Sequence, residues 1–218
     1  PRQGLKAGLP VWKAVARNPI KVSHYLYFLG SQQVTTDGGA VSSWGDAGLS
    51  TLTRTLAQST ANLQPAHDTS DNHLTFDTTT GEKDKLAFNS AVTQAGVLVC
   101  ATSNGIFAYE VDADSVDEIT ALGWERDNYF ALDLYAYILF PSTITAVELA
   151  GVIRYLDENT NATKNPTGDL TRYWQSRADL VTPKLDALNF SGVTNFSYAW
   201  NSCTSLTSLH ALLKSVPA

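Results

Sequence analysis

Two stretches hold the side chains best suited to chemistry. His67-Asp68-Thr-Ser-Asp71-Asn-His73 places four potential metal ligands within seven residues. Imidazoles and carboxylates suit zinc or a related cation. These histidines do not form a His-Glu-x-x-His pair, and His24 and His210 stand far off in the chain. Thr, Ser and Asn between the ligands are turn formers, so a solvated turn without metal is expected. The second stretch is acidic, with Glu110, Asp112, Asp114, Asp117, Glu118 and Glu125. On a strand, Glu110, Asp112 and Asp114 would share one face. Retaining glycosidases need two carboxylates about 5 Å apart. The third acid of a Glu-x-Asp-x-x-Glu pattern is missing, because position 115 is Ser. An EF-hand fails as well: Val116 takes the fifth loop position, and Asp117 the one that requires Gly. A solvated acidic loop is expected there. The sequence also has no Gly-x-Ser-x-Gly elbow and no glycine-rich phosphate loop. No catalytic, metal or cofactor-binding residue is therefore assigned, no cofactor is expected, and the chain reads as non-enzymatic.

Sugar binding asks for less, namely an aromatic face and a few amide or carboxylate partners. Trp44, Trp124, Tyr129, Trp174, Tyr198 and Trp200 could each supply the face. Trp174 and Trp200 occupy equivalent places in a repeat, where aromatics normally fill the interior. Ligand-binding residues stay unassigned.

The elements that must position these groups are mostly strands. His24 to Leu29 is an apolar patch, and Leu74-Thr-Phe76 is short and bounded by polar residues. Val97 to Thr102 and Ile106 to Val111 flank Ser103-Asn-Gly105, which predicts a hairpin. Tyr129 to Phe140 reads as a long strand stopped by Pro141, which cannot donate to a ladder. One helix follows. Thr143 or Thr145 can cap it, Glu148 stands three residues after Thr145 in capping-box register, and Leu149, Val152, Ile153 and Leu156 share a face. Further on, Trp174-Gln-Ser-Arg-Ala-Asp-Leu180 matches Trp200-Asn-Ser-Cys-Thr-Ser-Leu206 at an offset of 26 residues. Leu185 and Leu188 follow the first copy, Leu209 and Leu212 the second. That offset lies within the roughly 20 to 29 residues of leucine-rich solenoids, but two copies are fewer than usually stand alone. This zone should lean on a neighbouring domain or subunit.

The 218 residues thus divide into a basic arm (1–30), a strand-rich body (31–158) and a repeat-like segment (166–218). With 44% hydrophobic residues there is ample material for a core. Residues 1–21 carry +5 and the rest −11. Because the basic residues are sparse and interrupted by Pro10 and Pro19, docking on an acidic protein surface is favoured over nucleic acid. Cys100 and Cys203 exclude a disulfide framework, and both are expected as buried free thiols. No apolar run approaches the roughly 18 residues of a membrane span, so no membrane contact is expected.

Two resemblances follow from particular residues. Val41-Ser-Ser-Trp44-Gly-Asp46, Leu56-Ala-Gln58-Ser-Thr60, Gln64-Pro65 and Leu74-Thr-Phe76-Asp77 resemble the opening of concanavalin A-like (laminin G-like) sandwich domains. Thr78 stands where that family usually has Gly, and Gly45 to Gly48 lacks its Ser-Gly-x-Gly. The run from Leu132 to Leu156 is similar to the family's closing strand and helix. Phe190-Ser-Gly-Val-Thr-Asn-Phe196 and Trp200-Asn-Ser-Cys203-Thr-Ser-Leu206 resemble one unit of BspA-type leucine-rich repeats. Both families recur in phage tail fibres and related appendages. The resemblance implies a mostly β fold: a concanavalin A-like β-sandwich with one short helix, then a short leucine-rich-repeat-like segment. It also implies a structural protein on the outer surface of a phage virion, anchored to other virion proteins by its N-terminal arm. Homo-oligomers, most simply trimers, are expected, with a host-surface glycan as a potential ligand. A free lectin-like module and a glycan-cleaving enzyme are the rival readings.

Overall fold

The computed structural model describes residues 16–48, 54–76, 84–112, 116–120, 132–162, 165–170, 174, 180–183 and 190–207. Residues 1–15 of the arm, His210, Asp114, Glu125, Trp124, Tyr129 and the Leu185, Leu188, Leu209 and Leu212 positions of the repeat lie outside them. The strands are β1 (Leu26–Leu29), β2 (Val34–Asp37), β3 (Ala40–Gly45), β4 (Thr55–Ala57), β5 (Ala66–Asp68), β6 (His73–Phe76) and β7 (Lys85–Val92). They continue with β8 (Gly96–Thr102), β9 (Gly105–Val111), β10 (Val116–Thr120), β11 (Leu132–Phe140), β12 (Thr167–Asp169), β13 (Leu180–Pro183) and β14 (Gly192–Asn195). The helix is α1 (Ala146–Asn159). The protein is mostly β.

One antiparallel sheet runs β10-β7-β4-β3-β5-β6-β11-β8-β9-β13, with β2 on β3 and β1 on β11. β8 and β9 form the expected hairpin, in register from Gly96 opposite Val111 to Thr102 opposite Gly105. Gly105 has φ +148°, and a Cβ there would come within 3.0 Å of Pro166 Cα, so the turn position admits only glycine without displacement. One edge of β11 is shared by β6 and β1, the latter from Leu26 opposite Leu139 to Leu29 opposite Ala136. The apolar patch at the end of the expected arm is thus a strand within the body.

β2 occupies one edge of β3, so β4 and β5 lie in tandem along the other. The sheet forks there and curls into a sandwich-like body. Phe88 of β7 meets Phe28 edge-on at 6.0 Å and Tyr137 at 6.5 Å, bringing the two halves face to face. Leu26, Phe28, Trp44, Leu56, Phe76, Leu86, Leu98 and Leu139 fill the space between them. The opposite face of the β1–β11–β8–β9 half presents Tyr27, Val99, Ile106, Ile138 and Phe140 to Leu149, Val152, Ile153 and Leu156 of α1. Burial on both faces explains why β8, β9 and β11 are continuous apolar runs, not alternating ones.

The helix starts where its capping box predicts. Thr145 Oγ1 accepts the Glu148 N–H at 3.2 Å, and Glu148 Oε2 accepts the Thr145 N–H at 3.0 Å. The Thr145 N–H, and after it the Thr145 hydroxyl, which donates to Oε2 at 2.8 Å, hold the Glu148 carboxyl below its ordinary range. The capping contribution is therefore present above the ordinary carboxylate range and lost as pH falls through the lower folded value. Thr145→Ala should cost about 1 kcal/mol at neutral pH. Thermal melts should show that difference shrinking in strong acid.

Described residues of the two matching stretches meet one another. β12 and β14 pair in parallel, Thr167 opposite Gly192 and Gly168 opposite Val193, each 25 residues further on. The Trp174 N–H donates to the Ala199 carbonyl at 2.8 Å, and the Thr207 N–H to the Val181 carbonyl at 2.9 Å. Trp174 and Trp200 stack at 5.1 Å with an interplanar angle of 8°. β13, which ends the first copy, pairs antiparallel with β9 and fastens the stack to the body.

Candidate functional site

The strand register assembles a cluster from distant parts of the chain. Thr75 of β6 lies opposite Asp133 of β11, and His73 sits two residues before Thr75 on the same face. His73 Nε2 is 3.1 Å from Thr75 Oγ1 and 3.3 Å from Asp133 Oδ1. On the other side its Nδ1 is 3.3 Å from Asp71 Oδ2. That approach has the distance of an ion pair but not the direction of a hydrogen bond, because no acceptor lies along the Nδ1 axis. The Tyr135 hydroxyl donates to Asp71 Oδ2 at 2.7 Å, and the Asn161 amide donates to Oδ1. Burial first, then the bond to Asp71, raises the Tyr135 phenol well above its ordinary range.

The expected solvated turn is therefore corrected at one end. Ser70 and Asn72 are exposed, but His73 is only 8% exposed and carries a carboxylate on either side. Nor do the four candidate ligands converge. His67 Nε2 lies 3.0 Å from the Gly30 carbonyl. Asp68 accepts the Ser70 hydroxyl at 2.6 Å, which holds its carboxyl below the ordinary range. Among the described residues no group of three or more His, Cys, Asp or Glu side chains could hold a metal ion.

Thr75, His73 and Asp71 stand in the order of a nucleophile, base and carboxylate relay. Two features oppose that use. The Thr75 hydroxyl already donates to Asp133 Oδ1 at 2.9 Å. A cleft of about 260 Å³ adjoins the cluster, but Asp71, Tyr135 and Asn161 line it, and neither His73 nor Thr75 reaches it. Its other polar groups are largely committed too. Asn159 donates to the Tyr155 carbonyl at 2.8 Å, Thr160 to the Leu156 carbonyl at 2.7 Å, and Glu158 pairs with Arg154 at 2.7 Å. The cluster is a polar latch tying the β5–β6 turn and β11 to the residues after α1, hydrogen-bonded throughout except at His73 Nδ1.

The acidic stretch is dispersed. Glu110 is half-buried in β9, and Asp112 follows that strand. Asp117 and Glu118 belong to β10, which pairs with β7, so the expected loop is in part a strand. Among the candidate aromatics, Trp44 is fully buried and its indole N–H donates to the Leu29 carbonyl at 3.1 Å. Asp46, two residues on, accepts the Tyr27 and Gly48 N–H groups at 3.0 and 2.8 Å. The Trp-Gly-Asp run thus straps β3 to β1. Trp200 is held between Trp174 and Phe196, while Tyr198 is 64% exposed. His24 is buried with Nδ1 2.7 Å from the Val22 carbonyl. Cys100 is buried, as expected, but Cys203 is only half-buried, with Sγ 2.8 Å from the Trp174 carbonyl.

Thr75, Asp133, Tyr135 and Asn161 escape sequence reasoning because no local spacing links them. The β6–β11 register brings the first three together, and the segment after α1 delivers Asn161. These features define a β-rich protein with a curled, sandwich-like antiparallel sheet, a helix over one face and a small parallel β12–β14 pair. No protein-family model, characterised protein or solved structure matches the chain.

Proposed function

We propose that the chain is a non-enzymatic structural and attachment subunit on the outer surface of a phage virion. In this reading the body is a concanavalin A-like sandwich, and residues 166–218 form a leucine-rich-repeat-like cap. The observation that carries it is the junction of the two: a curled antiparallel body continuous, through β13, with coils stacked in parallel about one repeat apart. Resemblance associates that pairing of modules with phage appendages. The committed hydrogen bonds of the latch favour a scaffold over a reaction site. The basic arm docks on other virion proteins, and three chains assemble around a common axis. Quantitative mass spectrometry of purified particles tests this. The chain should be present at a fixed copy number divisible by three, and its absence from washed particles would overturn the proposal.

A further inference from the structure

Gly151 is buried where the geometry of α1 predicts exposure. Leu149, Val152, Ile153 and Leu156 mark the face that meets the sheet. At about 3.6 residues per turn, position 151 lies roughly 150° round the helix from the centre of that face. Val147, one turn earlier on the same outer face, is 46% exposed. Gly151 is nevertheless buried. The chain at Arg17 passes over it, for the Arg17 N–H donates to the Gly151 carbonyl at 2.8 Å. Glycine inside a helix is destabilising relative to alanine, and the close approach of a second backbone is a reason to have it there. The described chain therefore begins on the outer face of α1.

Three features indicate what continues along that face. The first is reach. Val147 stands about 6 Å from Gly151 along the helix axis. Trp12 precedes Arg17 by five residues, a length of chain that spans up to about 17 Å. The second is chemistry: Val147 is a large hydrophobic side chain left exposed, and Val11-Trp12 is an apolar pair. The third is charge. In α1, Glu148, Asp157 and Glu158 outnumber Arg154, whereas the arm carries Arg2, Lys6, Lys13 and Arg17 and no acid. We propose that Val147 and Gly151 form the seat of this chain's own N-terminal arm, with Val11 and Trp12 covering Val147. This goes beyond the function proposed above and holds whatever the outer end of the arm meets. A partner that grips Val11 to Val15 must first lift them from α1, whereas Arg2 and Lys6 lie beyond the seat.

Trypsin cleavage after Lys13 reads the seat directly, because a protease cuts only the fraction of chains in which the segment is lifted from its support. The full chain and a synthetic peptide of residues 1–18 should be digested side by side, with the cut between Lys13 and Ala14 followed by mass spectrometry. The chain should be cut at least about tenfold more slowly than the peptide. Val147→Gln and Gly151→Gln should each remove most of that protection. Both bring better helix formers to the outer face of α1, so far-ultraviolet dichroism should stay unchanged. Trp12→Ser should act like Val147→Gln without touching the helix. Cleavage of the wild-type chain at the rate of the peptide overturns the proposal, as does protection unchanged in either α1 variant. Protection that falls on dilution places the arm on a second copy and overturns it too. Particle mass spectrometry bears on the virion assignment alone, whichever way the digestion turns out.

Discussion

Trp174→Ala should lower the stability of the whole chain by about 3 to 5 kcal/mol, the range for emptying a buried tryptophan site. Trp174 is 4% exposed and meets three rings at once: Phe107 edge-on at 4.9 Å, Tyr109 at 5.5 Å and Trp200 face to face at 5.1 Å. The first two belong to β9 and the third to the second coil. Truncation therefore leaves a cavity at the seam between body and repeat and unstacks Trp200, whose indole nitrogen is already buried without a partner. Two stacked coils have too few neighbour contacts to stand alone. Urea unfolding followed by far-ultraviolet circular dichroism and by tryptophan emission should give one coincident transition in the wild type, moved to lower urea in the variant. An early transition seen only in emission, with the dichroism midpoint unmoved, would show that the repeat folds independently of the body.

The sequence made local features legible. The capping box at Thr145 and Glu148 fixes the start of α1, and the Asn-Gly turn fixes the β8–β9 hairpin, because both depend on neighbours within a few residues. The match between Trp174 and Trp200 foretold their stacking, since equivalent residues of a repeat meet when coils lie parallel. What eluded the sequence is set by non-local pairing. Alternation gave no warning that β8, β9 and β11 would be buried on both faces, and the patch from His24 to Leu29 read as a strand without showing that its partner would be β11. His73 looked solvated because Thr69, Ser70 and Asn72 precede it in the chain. Its actual neighbours, Asp133 and Tyr135, arrive from about sixty residues away through the register of β6 against β11. The same register decides the chemistry, for it binds the Thr75 hydroxyl to Asp133.

Buried tyrosines give the fold a predictable alkaline limit. Tyr27 is 2% exposed in the layer beneath α1, and burial, followed by the charge of Tyr155, pushes its phenol up to about 12. Tyr135 is raised in the same direction by burial and by Asp71. A phenol whose folded pKa exceeds its unfolded value favours the folded state while both states stay protonated. That stability is complete below the unfolded value of 10 and drains away as pH climbs toward the folded one. Tyr27 alone should forfeit about 2 kcal/mol across that window. Tyr27→Phe keeps the ring and removes the ionisable group, so its alkaline unfolding midpoint should rise. Tyr135→Phe should behave likewise above pH 10 but start lower at neutral pH by about 1 kcal/mol, because Asp71 loses its donor. The double variant should be the most alkali-resistant of the set. Dichroism-monitored pH titration and phenolate absorbance report the two halves of this linkage, unfolding and ionisation, on the same samples. If the Tyr27→Phe/Tyr135→Phe profile overlays the wild type between pH 10 and 12, these phenols are not held protonated by the packing described, and the covering of the sheet by α1 is looser than drawn.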